Sequence, residues 1–308
     1  MSTGWRWCSP DAAISGTELL KWRANFTDRL YLAYFAGLAV AIVLLRHRVP
    51  GWTGYLLLHA MVIALILALV SLSKRLPHAH AWYPLLLPII AFPEAALLRN
   101  LFVENWRDPY LLAIESAVFP QPPTVWLARF QSMLFSEVLQ AGYLSYFLML
   151  PMVAAVLCVR EDKAPFFGVM AATVLGYLTC YVIFLVFPTE GPAHTLRHLH
   201  TQPLPDGPLR SIVEFVQRAG THGNAFPSAH AVGAVVPIIF AQRNAPKLVP
   251  WLLPLLLLMC VGAVYDRYHY ASDMIGGVLI GAAATAFVMT AQSRPRLACL
   301  VNLRPSPR

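Results

Sequence analysis

The sequence predicts an all-α fold, a polytopic transmembrane helical bundle of about six to eight spans. Three observations predict it. Of 308 residues, 58% are hydrophobic and only 12% are charged, about half the charged share of a soluble domain. Mean hydropathy is +0.58. The apolar residues come in runs of about 20, which suits a helix rising ~1.5 Å per residue across a ~30 Å hydrocarbon layer.

Eight stretches carry this signature in turn: 30–46, 52–73, 83–103, 130–159, 164–188, 228–241, 248–265 and 270–291. The third is the least regular, because it holds Pro88, Pro93, Glu94 and Arg99. The sixth is short unless it begins earlier. Two longer connections separate them. Residues 104–129 mix charge, aromatics and prolines, and predict a short helix lying at the interface, where Trp106, Tyr110 and Trp126 are comfortable. Residues 189–227 carry Pro192, Pro203, Pro205 and Pro208 with several histidines and arginines, and read as an unstructured, functional or mobile loop.

Charge predicts orientation. The net charge is +8, with the positives mostly in short loops and at the tail, which suits membrane topology better than nucleic-acid binding. No nucleic-acid motif is present. The tail at 293–308 has arginines and no acid, and is expected to be cytoplasmic. Counting back through eight spans puts 73–78, 160–163, 242–247 and the N-terminus on that side. The loops at 189–227 and 266–269 then share the periplasmic-like face. Arg46, His47 and Arg48 on that face break the rule. The first residues lack the basic-then-apolar pattern of a cleaved signal peptide, so the first span is expected both to target and to anchor the chain. Cys8, Cys158, Cys180, Cys260 and Cys299 form no CxxC pair. They read as small apolar fillers rather than a disulfide framework or zinc site.

Two stretches carry chemistry: FPSAH at 226–230 and YDRYHYASDMIGG at 265–277. Each opens a span, and both fall on one membrane face. His269 and Asp273 are four apart and share a helix face. A carboxylate there can hold an imidazole in one tautomer and leave its other nitrogen free, the orienter–base half of a catalytic triad. Arg267 adds a planar cation suited to phosphate. The plain alternative is an ion pair tying a helix end to the interface. In FPSAH, Pro227 suits the first turn of a helix, and Asn224 or Ser228 can cap it. The free N–H groups of a helix N-terminus attract an anion. His230, in the same turn, can give a proton to a leaving oxygen. The plain alternative is a satisfied interfacial histidine. Taken together, two histidines, a carboxylate, an arginine and a helix N-terminus are the parts phosphoryl transfer needs.

These residues resemble a known family. FPSAH looks like the second signature of the type-2 phosphatidic acid phosphatase (PAP2) superfamily, and HYASD like the end of its third. The resemblance implies a six-helix catalytic core. It implies His269 as a nucleophile forming a phosphohistidine, Asp273 as its partner, His230 as leaving-group acid, and Ser228 with nearby amides as phosphate ligands. Two departures stand out. Ala263 occupies the position of the third signature's arginine, and the first signature is absent. Arg267, His194, Arg197 or His222 are candidates for the missing phosphate clamp. PSAH with HYASD, and FPTEGP at 187–192, resemble the inositol phosphorylceramide synthase-like branch. Residues 108–119 and 142–151 also look like segments of that branch, and sphingomyelin synthases share a similar His–His–Asp triad.

The expected organisation is N-terminal spans without a motif (1–104), a PAP2-like catalytic membrane domain (105–292) and a basic tail (293–308). The expected function is a phosphatase or phosphotransferase acting on a lipid-linked phosphate in the bilayer, without metal or other cofactor. The branch resemblance implies transfer of a phospho-head group to a lipid alcohol as the alternative. A vanadium haloperoxidase shares the superfamily site, but those relatives are soluble. The reading from another class is a non-enzymatic lipid binder or transporter. The sequence leaves the lipid, the acceptor and the oligomeric state open. Glu94 and Glu137 are intramembrane carboxylates and default to function. Glu137, Gln140 and Tyr143 share one face and are candidates to line a head-group cavity, with internal hydrogen bonding the alternative. His194, His198 and His200 lack a tight ligand set and read as a solvated or phosphate-facing loop.

Overall fold

The computed structural model describes residues 24–218 and 223–294. The chain is a helical bundle, and no strand occurs among the described residues. Helix α1 (Phe26–Leu44) starts at a capping box, in which Asn25 and Asp28 each accept the other's backbone N–H. It is followed by α2 (Trp52–Ser71), α3 (Pro77–Trp82) and α4 (Pro88–Leu97). Two shorter helices come next, α5 (Asp108–Val118) and α6 (Pro123–Leu127). Long helices α7 (Met133–Cys158) and α8 (Ala164–Val186) lead into a connection holding α9 (Pro192–Thr195) and α10 (Pro208–Arg218). The chain closes with α11 (Ala229–Asn244), α12 (Val249–Tyr265) and α13 (Ala271–Ser293).

Six of these are long and apolar enough to cross a membrane: α1, α2, α7, α8, α12 with the turn before it, and α13. Their outward faces carry Leu57, Leu148, Trp251, Leu279 and Phe287, all more than half exposed. Unpaired apolar surface on that scale belongs in hydrocarbon. The other two expected spans depart from a regular crossing, each for a different reason. The stretch at 83–103 breaks into a 3₁₀ turn (Tyr83–Leu85) and α4, because its prolines remove backbone donors. It still climbs the bundle: Trp82 packs on Phe166 near one end of α8, and Phe92 on Phe184 near the other. Helix α11 has only 16 residues. It is wrapped by α7, α8 and α13, and most of it is buried in protein rather than lipid.

Small residues let these helices touch closely. A Cβ on Gly277 would collide with the Ser228 carbonyl and the Ala231 side chain, and one on Gly281 would meet Val235. Gly262 packs on the Leu139 carbonyl in the same way. Small residues thus bring the start of α13 against the start of α11.

The N-terminal helices share the core. Tyr34 packs on Tyr181 of α8, and a fully buried pair joins α2 to α4, with His59 Nε2 2.6 Å from Glu94 Oε1. Glu94 therefore has a partner inside the bundle. At the opposite end of α1, Asp28 accepts from the Tyr83 hydroxyl and lies 3.0 Å from His80 Nε2.

Over residues 189–218 the connection is more ordered than expected. It contains α10, an amphipathic helix with Val213 buried and Ile212 and Phe215 exposed. Glu137 accepts hydrogen bonds from the Leu209 and Arg210 amides, at 3.0 and 3.3 Å. Of the two readings of Glu137, internal hydrogen bonding is the one observed: its carboxylate caps a neighbouring helix, whose positive N-terminal end favours it. The interfacial helix expected within 104–129 is α5 with α6. Tyr110 and Trp126 are exposed there, whereas Trp106 lies under the Arg99 guanidinium at 4.6 Å. The tail beyond Arg294 and the segment before Ala24, with the cysteines at positions 8 and 299, lie outside the described residues.

Candidate active site

Ser228, not Asn224, is the N-cap of α11. Its hydroxyl accepts from the Ala231 amide at 3.3 Å. Pro227 precedes the cap, joined to Phe226 by a cis peptide bond. Asn224 instead sends its amide to the Phe92 carbonyl at 2.7 Å. The Ser228 amide donates to the Asp273 carbonyl at 2.9 Å, so the first turns of α11 and α13 are stitched together.

The turn between α12 and α13 presents His269. The Tyr268 and His269 amides both donate to the Ala263 carbonyl, at 3.0 and 3.1 Å. This tight turn forces Arg267 to φ +66°, a left-handed conformation that side chains other than glycine seldom adopt. His269 is buried. Its Nδ1 lies 2.9 Å from the Ala225 carbonyl and 3.2 Å from Asp273 Oδ2. Both are acceptors, so Nδ1 carries the proton and Nε2 keeps its lone pair. Around that lone pair stand Ser228 Oγ at 3.3 Å and His230 Nδ1 at 3.4 Å. Burial pushes the His269 imidazole down to about 4, against a smaller upward pull from the Ala225 carbonyl. A neutral ring with a free nitrogen is the form a nucleophile needs.

Helix α5 braces this arrangement from outside. Asp108 is buried and accepts four hydrogen bonds: Glu190 N at 2.8 Å, Gly191 N at 2.9 Å, Thr195 Oγ1 at 3.1 Å and the Tyr270 hydroxyl at 2.9 Å. Two turns later, Glu115 accepts from the Ser272 amide and hydroxyl, at 3.0 and 3.3 Å. Burial raises the Glu115 carboxyl above its ordinary range, partly offset by those Ser272 donors. Sequence reading missed both roles. A signal did exist: two carboxylates seven apart on one helix face. Tyr270 left no such trace, since its partner is 162 positions away.

The structure therefore brings Ser228, His230, His269 and Asp273 together. It places the other candidates differently. The Arg267 guanidinium donates to the Gln202 carbonyl at 2.8 Å. Arg197 is exposed on the 3₁₀ turn Arg197–Leu199, and His194 is exposed on α9. His222 lies outside the described residues. Beside the turn that carries His269 sits a charged cluster that sequence reading did not single out. Arg210 pairs with Glu214 at 2.8 Å and approaches Asp266 at 3.8 Å. Burial pushes the Asp266 carboxyl up to about 7, against the downward pull of Arg210 and Arg267.

A family model described as the PAP2 superfamily matches residues 110–287, more than half of the chain. The chain belongs to the PAP2 superfamily. No curated protein and no solved structure matches it. As a PAP2 protein it has a phosphatase-type activity on lipid phosphates in general terms, in a helical membrane fold. The match runs from α5 to α13 and includes Ser228, His230, His269 and Asp273, while Asp108 stands just before it.

Proposed function

We propose that this PAP2 protein transfers the phosphoryl group of a lipid phosphate through a phosphohistidine on His269. One observation carries the reading: His269 Nε2 keeps its lone pair and stands 3.4 Å from His230 Nδ1 at the N-terminus of α11. The Nε2 lone pair attacks phosphorus, and the phosphorus–oxygen bond to the lipid alcohol breaks. The departing oxygen takes the Nδ1 proton of a His230 imidazolium, which is left neutral with its remaining proton on Nε2. Water or a lipid alcohol then attacks the phosphohistidine, breaks the phosphorus–nitrogen bond and returns a proton to His230. Asp273 and the Ala225 carbonyl hold the Nδ1 proton of His269 throughout. Ser228 and the free amides of α11 meet the phosphate oxygens. Arg267, Arg197 and His222 remain candidates for added positive charge. The two histidine nitrogens now stand where phosphorus and its leaving oxygen would lie, so substrate must part them.

The same reading puts the site at the extracytoplasmic face of a bacterial inner membrane, with the C-terminus cytoplasmic. Positive loops at the far end of the bundle support it.

A second reading, transfer of a phosphorus-bound head group to a lipid alcohol, draws on a separate observation. Gln140 is fully buried on α7, one turn before Tyr143, and both its amide atoms lack partners. Both Asp266 oxygens are likewise buried without a hydrogen bond. A polar head group retained on phosphorus would satisfy them.

The test uses purified protein and labelled phospholipids, with and without a lipid alcohol, quenched without acid to preserve phosphohistidine. Free phosphate alone identifies a hydrolase, and a new phospholipid a transferase. The His269→Ala variant is expected to form neither product nor phosphoprotein. Unchanged turnover in that variant would remove His269 from the reaction and favour the lipid-binder alternative for this site.

A further inference from the structure

Both ring nitrogens of His230 face polar groups. Nδ1 lies 3.4 Å from His269 Nε2, and Nε2 lies 3.1 Å from the Tyr143 hydroxyl. His269 has its proton on Nδ1, directed to the Ala225 carbonyl and Asp273. Its Nε2 is therefore an acceptor, and the proton between the two histidines belongs to His230 Nδ1. When the His230 ring is neutral, its Nε2 must accept, and Tyr143 is the donor placed to supply it.

The surroundings leave this task to Tyr143. Phe92 packs edge-on to His230 at 6.3 Å and has no polar atom. Tyr146 lies closer, at 4.8 Å between rings, but its hydroxyl is bonded to that of Tyr177 at 3.0 Å. Tyr143 is 1% exposed, and its ring is held between His230 and Tyr268 at 5.3 and 5.5 Å. It is anchored to α7, which neither histidine belongs to.

We propose that Tyr143 is the positioning residue of the proton donor. It holds the His230 ring with Nδ1 turned toward the leaving oxygen: its hydroxyl donates to Nε2 of the neutral ring and accepts from Nε2–H of the imidazolium that gives up the Nδ1 proton. The proposal rests on the phosphohistidine reading above. Without the phenol, the imidazole can turn about its Cβ–Cγ bond, and its Nδ1–H then no longer faces the leaving oxygen.

The experiment compares wild-type protein with Tyr143→Phe on two substrates. One is phosphatidic acid, or whichever lipid phosphate of the labelled panel turns over fastest. The other is its bridging-sulfur analogue, whose thiolate departs without needing a proton. The expected result is a fall in kcat/KM of about tenfold or more on the oxygen ester, given that general acid catalysis contributes ~10²–10⁴-fold. On the sulfur analogue the change should stay within about twofold. A merely structural tyrosine would slow both substrates alike. Equal losses on the two, or no loss on either, would overturn the proposal. His269→Ala runs alongside: if it stays active on both, the phosphohistidine reading itself fails. If it is inactive while Tyr143→Phe shows no leaving-group dependence, only the role of Tyr143 fails.

Discussion

Replacing Asp108 with alanine removes the acceptor that joins α5, the turn after α8 and the start of α13. Four donors lose their partner at once: the Glu190 and Gly191 amides and the Thr195 and Tyr270 hydroxyls. Each such bond contributes about 1 kcal/mol net, and an orphaned buried donor costs more than a mean bond gains. The sum is about 4 kcal/mol, at the upper end for a single substitution. Two milder changes set the scale. Tyr270→Phe removes one of the four bonds and orphans no donor, so it should cost about 1 kcal/mol. Asp108→Asn keeps one acceptor oxygen and should fall between the two. The assay is unfolding in detergent micelles, followed by circular dichroism against denaturant. The double variant Asp108→Ala with Tyr270→Phe should cost less than the sum of its parts, because they share one bond. Additive losses, or a cost below about 1 kcal/mol for Asp108→Ala, would refute the clasp.

Three further outcomes follow from the site. Asp266 has its carboxyl raised to about 7, facing Arg210, Arg267 and Glu214. The folded state therefore holds a proton that the unfolded state releases at lower pH, and stability should fall as pH rises from about 4 through 7. Asp266→Asn should flatten that decline, and a melting-temperature difference from wild type that stays constant between pH 4 and 8 would contradict it. Arg267 adopts φ +66°, so Arg267→Gly should be more stable than Arg267→Ala by about 1 kcal/mol in the same unfolding assay. Gly277→Ala drives a methyl group into the Ser228 carbonyl. It should cost about 1–3 kcal/mol and cut kcat, whereas Gly37→Ala, which meets nothing within 4 Å, should do neither.

The sequence by itself determined the bundle and its chemistry-bearing turns. Runs of apolar residues predict crossing helices because hydrocarbon cannot satisfy an open backbone. The pair His269 and Asp273 was legible because helical spacing places i and i+4 on one face. Ser228 was legible as a cap because its hydroxyl beside an apolar run suits a helix start. Local rules reach only a few residues along the chain. They misplaced Pro227 in the helix, read 189–227 as a loop and left Glu137 between a cavity and internal hydrogen bonding. Those outcomes depend on which segments meet in space.

Only the tertiary structure decided the site itself. His230 meets His269 across 39 positions and Tyr143 across 87. Asp108 meets Tyr270 across 162. No periodicity carries such pairings. They arise because Gly277, Gly281 and Gly262 let α13, α11, α12 and α7 approach closely enough for short polar side chains to touch. Packing also decided which polar residues were spoken for. Arg267 went to a loop carbonyl, while Tyr143, one candidate among several on its helix face, was brought to His230.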